Sequence, residues 1–142
     1  GAYIGARAVI RDGVVIGDRV KVGDRTSVGP NTTLLNCDIG KHCVLHAGVS
    51  IGADGFGFYV HDGRVHKKPQ LLRVVLADHV EVGAGSCIDR GSWRDTRVGT
   101  GSKLDNMVQV GHNAYVGAHC MLCAHAALAG SSSLGDFSVM GG

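Results

Sequence analysis

An aliphatic residue recurs every six positions along this chain, and that period limits what the chain can fold into. Ile4, Ile10, Ile16, Val22, Val28 and Leu34 set the phase. It slips by one residue to Ile39, Leu45 and Ile51 and resumes at Leu76, Val82 and Ile88. After a second gap it runs unbroken through Val98, Leu104, Val110, Val116, Leu122, Leu128, Leu134 and Met140. None of these 20 leading places is polar. The next place is Gly in most hexads, and the fifth is small or β-branched, as in Ala8, Thr26, Thr32, Cys43, Ser86, Val108 and Ala114. A period of six matches neither the roughly 3.6 of a helix nor a hairpin ladder with its Gly-Asn turns. It matches very short strands ended by corners where Gly, Asp or Asn take unusual backbone angles. Three hexads closing a triangular coil of about 18 residues give a parallel β-helix, an all-β solenoid. Its coils are spaced about 4.8 Å apart, the distance of hydrogen-bonded strands, and this length allows six to seven of them.

Composition agrees with a narrow aliphatic interior. The chain has 142 residues, enough for a single domain over 1–142, with 23 Gly and only 5% aromatic residues. A net charge of +2 gives no electrostatic basis for a nucleic-acid or membrane-surface partner. No apolar run approaches the roughly 20 residues of a membrane-spanning helix. Cys37, Cys43, Cys87, Cys120 and Cys123 are odd in number and form no disulfide-like framework, which favours a reducing compartment. Cys120 and Cys123 form a lone CxxC, better read as small-residue packing than as a metal site.

Two breaks interrupt the repeat. Residues 57–75 are expected to loop out of the prism, with Asp62-Gly63 as a hairpin turn. Phe56, Phe58 and Tyr59 cluster where this excursion begins. Its Arg64, His66, Lys67 and Lys68 form the only basic cluster, suited to an acidic protein, to a diphosphate or to solvent alone. The second break, Trp93 to Arg97, widens one corner. The repeat is under way by Ile4 and still running at Met140, so the chain is expected to be a section of a longer protein.

Of the eight histidines, His42, His79, His119 and His125 fall at the fourth place of their hexads, a solvent-facing corner. His61 and His66 lie in the excursion and His46 takes a glycine place; no spacing among them reads as a metal-ligand set. His112 differs. It holds the third place, where a side chain leaves the wall sideways, and one coil further on lies Gly130, about 5 Å above by strand spacing. An imidazole beside a glycine N–H is a plausible acyl-transfer pair, base and oxyanion donor. A corner histidine beside an ordinary turn glycine is the alternative.

The strings Asp54-Gly55-Phe56-Gly57-Phe58, Lys68-Pro69-Gln70, Ile88-Asp89-Arg90-Gly91, Lys103-Leu104-Asp105-Asn106, Gly111-His112-Asn113 and Ala129-Gly130-Ser131 resemble the UDP-3-O-acylglucosamine N-acyltransferases of lipid A biosynthesis. The likeness runs through the whole chain in order. Arg90-Gly91-Ser92-Trp93-Arg94 reads more like plant organellar members than bacterial ones. The resemblance implies left-handed coiling and a homotrimer with active sites between prisms. It implies transfer of a 3-hydroxyacyl group from acyl carrier protein to the 2-amino group of a UDP-3-O-acylglucosamine. It maps the general base to His112 and the oxyanion glycine to Gly130. Asp105, Asn106, Asn113, Phe56, Phe58 and Gln70 are the substrate-side residues it suggests. No metal or dissociable cofactor is implied, since phosphopantetheine arrives with the carrier. The family's N-terminal uridine-binding domain and C-terminal helices have no counterpart in this stretch. A mitochondrial location follows for the plant type and a cytoplasmic one for the bacterial type. Rival readings are the related UDP-N-acetylglucosamine O-acyltransferase, a non-catalytic β-helical assembly module, and a zinc hydratase.

Overall fold

The computed structural model describes residues 1–142, all of the chain. Each hexad forms one strand of two or three residues, and strands one coil apart pair in parallel: Tyr3 with Lys21, Ile4 with Val22. Three sheets of seven, seven and six strands make the walls of a triangular prism. The leading residues stack on their own kind. Leu34, Ile51, Ile88 and Val110 run up one wall, and Val28, Leu45, Val82, Leu104 and Leu122 up another. A column this narrow excludes rings, and the 25-residue buried cluster contains no aromatic side chain. Ile88 is fully buried. Ile88→Val, which deletes one methylene there, is expected to cost about 0.5–1.5 kcal/mol in a urea titration.

The fifth-place hydroxyls explain why Thr and Ser are tolerated inside. Thr26 Oγ1 donates to the Gly40 carbonyl at 2.8 Å and accepts from the Cys43 N–H at 3.0 Å. Ser102 Oγ repeats this with the Gly117 carbonyl (2.7 Å) and the Cys120 N–H (2.9 Å). Each buried hydroxyl thus bonds a coil above its own and leaves no orphaned group.

Corner chemistry differs from the sequence expectation. The fourth place does take positive φ, but Arg25, His42, His79, Met107, His119, His125 and Phe137 hold it as well as Asn and Gly. Such a conformation costs roughly 1–2 kcal/mol per residue, and at four of these corners it is accompanied by ring stacking, His42 on His79 and His119 on Phe137. His42 and His79 lie ring on ring with centroids 4.9 Å apart, and the His42 N–H bonds the Asp24 carbonyl of the coil below. Glycine at the second place answers to a different constraint. A methyl on Gly99 would lie 2.5 Å from the Gly117 carbonyl carbon and 2.6 Å from the Ala118 nitrogen, because adjacent coils touch there.

The looped-out segment is slightly displaced from the expected 57–75. Gly52 still bonds the Ile88 carbonyl, and Val74, Val75 and Leu76 are already paired with Cys37, Asp38 and Ile39. The chain therefore leaves after Gly52 and is back in the wall at Val74, since Val74 and Leu76 supply the buried face. Phe58–His61 and Arg64–Lys67 form the antiparallel hairpin, turning at Asp62 and Gly63, both at positive φ. The second break is likewise shorter than expected at its far end. Thr96–Val98 is a wall strand, so Arg97 belongs to the sheet and the widened corner ends at Asp95.

Candidate active site

His112 follows Val110 at the corner where the wall of Gln109–Val110 turns into that of Tyr115–Val116. Its ring is half-buried, neither inside the aliphatic column nor fully in solvent. The third-place register puts Gly130 directly above it. A methyl on Gly130 would come within 2.5 Å of His112 Cε1 and 2.9 Å of Cδ2, so the imidazole lies across the glycine Cα. Elsewhere the third place of the upper coil often carries a side chain that caps the N–H below, as Asp24 does for Ala6 and Asp136 for Ala118. Over His112 that side chain is missing, and the ring fills the room. The Gly130 N–H bonds no acceptor within the chain.

Asn113 occupies the adjoining corner position at φ 60 and is buried. Its Oδ1 accepts from the Ser92 N–H at 2.7 Å and the Trp93 N–H at 3.2 Å. Its Nδ2 lies 2.7 Å from His112 Nδ1 and 3.1 Å from Ser92 Oγ. Expected to touch substrate, Asn113 instead has its amide committed to the chain. The sequence concealed this because its partners come from the widened corner one coil earlier, an irregular segment whose path no period fixes. Arg94 completes the corner, donating from Nε to the Asn113 carbonyl at 2.6 Å and stacking over Trp93 at 4.7 Å.

The excursion returns to the same place. Gly55 is buried, and a methyl on it would meet His112 Cγ at 2.9 Å and Gln70 Oε1 at 3.0 Å. The first glycine of the DGFGF string is thus wedged between the imidazole and Gln70. Gln70 is buried as well; its Nε2 donates to the Lys68 carbonyl at 3.2 Å, while Oε1 has no hydrogen-bond partner. In this conformation Gln70, like Asn113, is closed to a ligand, because Gly55 and Gly57 pack over it. Phe56 and Phe58 remain exposed, ring edge to face at 4.8 Å. Lys67 of the basic cluster is occupied, its Nζ bonding Asp54 Oδ2 at 2.5 Å, and Arg90 faces the same carboxylate at 3.7 Å.

Asp105 and Asn106 do not join His112 within the chain. They sit at the preceding corner, one wall away, since six residues advance the chain by one side of the prism and only a full coil stacks. Both serve as caps: Asp105 Oδ2 accepts from the Ala124 N–H at 3.1 Å and Asn106 Oδ1 from the Ala84 N–H at 2.8 Å. Their exposed faces line a separate groove of about 490 Å³ with His46, Glu81, Lys103 and Met121. His46 is spent on Glu81 at 2.8 Å. No group of three or more His, Cys, Asp or Glu side chains converges to hold a metal ion, and Cys120 is buried while Cys123 is exposed.

One residue that sequence reasoning passed over belongs to the site. Asp89 takes the glycine-preferring second place, its strand pairs beside Gly111, and Gln109 Nε2 donates to its Oδ2 at 3.0 Å. Burial pushes its carboxyl above the usual carboxylate range, opposed by the Gln109 bond and the neighbouring His112. A folded-state acid raised in this way binds more protons than in the unfolded chain, so its contribution to stability falls as pH rises through that window. Asp89→Asn is therefore expected to melt a few degrees higher than the parent at neutral pH. The difference should close as pH drops below the ordinary carboxylate range of about 4, which calorimetry at several pH values will show.

The family model described as bacterial transferase hexapeptide (six repeats) matches residues 1–36. The chain is 51% identical over 113 residues to the probable UDP-3-O-acylglucosamine N-acyltransferase 2, mitochondrial, of Arabidopsis thaliana, a match covering 79% of this chain and 37% of that protein. It is 46% identical over 110 residues to the UDP-3-O-acylglucosamine N-acyltransferase of a Methylobacterium species, covering 78% of this chain and 31% of that one. The chain belongs to the UDP-3-O-acylglucosamine N-acyltransferase family. It spans about a third of the length of these curated relatives. Among solved structures, the UDP-N-acetylglucosamine acyltransferase of Bacteroides fragilis superposes with a TM-score of 0.86 at 24% identity, over 99% of this chain and 53% of that one. A likeness of that degree excludes the mirror-image coil, and the prism winds left-handed as in those acyltransferases.

Proposed function

We propose that this chain is the catalytic β-helix of an N-acyltransferase that moves a 3-hydroxyacyl group from acyl carrier protein to the 2-amino group of a UDP-3-O-acylglucosamine. The observation that carries this reading is the half-exposed His112 imidazole lying across Gly130, whose N–H is unpaired. The amine nitrogen attacks the thioester carbonyl carbon, and the Gly130 N–H donates to the oxygen as it becomes negative. His112 takes the proton that nitrogen gives up. As the carbon–sulfur bond breaks, that proton passes to the departing phosphopantetheine sulfur, giving amide and free thiol. No resident metal or cofactor enters these steps. Phe56 and Phe58, exposed one and three residues beyond the glycine that touches His112, are placed to meet the acyl chain or the sugar.

Asp105 and Asn106 lie one corner away, which suits a crevice completed by a neighbouring prism in a homotrimer. The second strand of the hairpin, from Arg64 beside the turn to Lys68 just past its base, is the docking place we infer for the acidic carrier. The compartment is mitochondrial if the chain is of the plant type and cytoplasmic if bacterial; no helix of the chain is long and apolar enough to cross a membrane. The test is to offer the protein a 3-hydroxyacyl carrier thioester with UDP-3-O-acylglucosamine and to follow the product by mass. An added acyl group resistant to mild base, as an amide is and an ester is not, is the expected result. An ester product on UDP-N-acetylglucosamine would favour the O-acyltransferase reading, and no product would favour an assembly module.

A further inference from the structure

We propose that Asn113 fixes the tautomer of His112, so that the resting imidazole carries its proton on Nε2 and exposes an Nε2 lone pair only when the Asn113 amide turns over. The two backbone N–H groups of Ser92 and Trp93 can only donate. The Asn113 atom that faces them, at 2.7 and 3.2 Å, is therefore the oxygen. That leaves the amide NH2 facing His112 Nδ1 at 2.7 Å. An NH2 group also only donates, so Nδ1 is the acceptor. A neutral imidazole has one lone pair and one N–H. With the lone pair spent on Asn113, the ring proton sits on Nε2, the nitrogen beside Gly130.

The consequence for catalysis rests on the reading of His112 as base. In the resting state that nitrogen is a donor and cannot take a proton from the incoming amine. Base competence needs the other tautomer, with Nδ1–H donating to Asn113 Oδ1. Turning the amide to allow this sets its NH2 against the Ser92 and Trp93 N–H groups. The widened corner must therefore let go at the same time. Asn113 is a positioning residue, buried and out of reach of substrate, that couples the base to residues 91–95. Trp93 in that corner is exposed, and Arg94 ties the corner to the Asn113 carbonyl and to the Ser131 carbonyl at 3.3 Å. A substrate or a neighbouring prism that draws the corner outward arms the base.

Asn113→Asp separates this from a merely structural role. A carboxylate there accepts from Ser92, Trp93 and Nδ1–H together, so the corner stays closed while the tautomer reverses. The measurement is two-bond proton–nitrogen correlation NMR on the chain labelled with nitrogen-15 histidine, at a pH where imidazole is neutral. His112 is identified by the signals lost in His112→Gln. The parent chain is expected to show Nε2 protonated and Nδ1 bare, and Asn113→Asp the reverse. A parent spectrum with the proton on Nδ1 overturns the proposal whatever the variant does, even a variant that fails to fold. An unchanged tautomer in a folded Asn113→Asp chain, judged by its circular dichroism, overturns it too. The two readings separate cleanly: an inactive His112→Ala protein with the parent proton on Nδ1 keeps the base and removes the lock. The stated tautomer with a fully active His112→Ala protein does the opposite.

Discussion

Replacing His112 with alanine is expected to slow acyl transfer about 100-fold or more, the usual scale for loss of a general base. The imidazole is half-exposed and outside the 25-residue apolar cluster, so its removal opens no interior cavity. The loss should appear in kcat at saturating acceptor, with the melting temperature within a few degrees of the parent. The Asn113 amide then loses one of its partners but keeps Ser92 and Trp93. A rate within tenfold of the parent in the same discontinuous thioester assay would remove His112 from the chemistry. It would leave either a scaffold or a reaction in which the substrate supplies its own base.

Gly130→Ala is expected to cost about as much by a different route. Alanine keeps the backbone N–H, so the oxyanion donor survives. Gly130 is not among the residues at positive φ, so an L side chain is not strained there. What changes is the ring. The new methyl would fall within 2.5 Å of Cε1, and the imidazole must tilt away by about an ångström. Displacement of that size at a catalytic group costs about 100-fold. The expected signature is a fall in transfer rate with circular dichroism and thermal midpoint close to the parent. Gly99→Ala is the contrasting control, because its methyl meets backbone of the next coil rather than a movable side chain. Unaltered transfer by a folded Gly130→Ala protein would show that the ring does not need the glycine.

The architecture was legible because one local rule repeats in every coil. Ile88, Val110 and Leu128 each occupy the same place of a hexad, and the structure stacks them on one wall. The His112–Gly130 pair followed from the same arithmetic, being one uninterrupted coil apart. Where the repeat breaks, counting fails. Gly55 reaches His112 only because a hairpin of unpredictable path folds back against the corner. Asn113 has an exposed-looking sequence setting, yet Ser92 and Trp93 close over it from an insertion. Asp105 and Asn106 adjoin the Gly-His-Asn string in sequence but lie round the corner from it, as a triangular coil requires.

Sequence by itself determined the solenoid, its aliphatic filling and the vertical neighbours of each side chain, since a fixed hexad period leaves each residue one rung and one face. Only the tertiary structure decided how Asn113 is bonded, that Gly55 and Gln70 close one side of His112, and that Asp89 stands beside it half-buried. Those contacts join coils to irregular segments, and no period relates an inserted loop to the wall it covers.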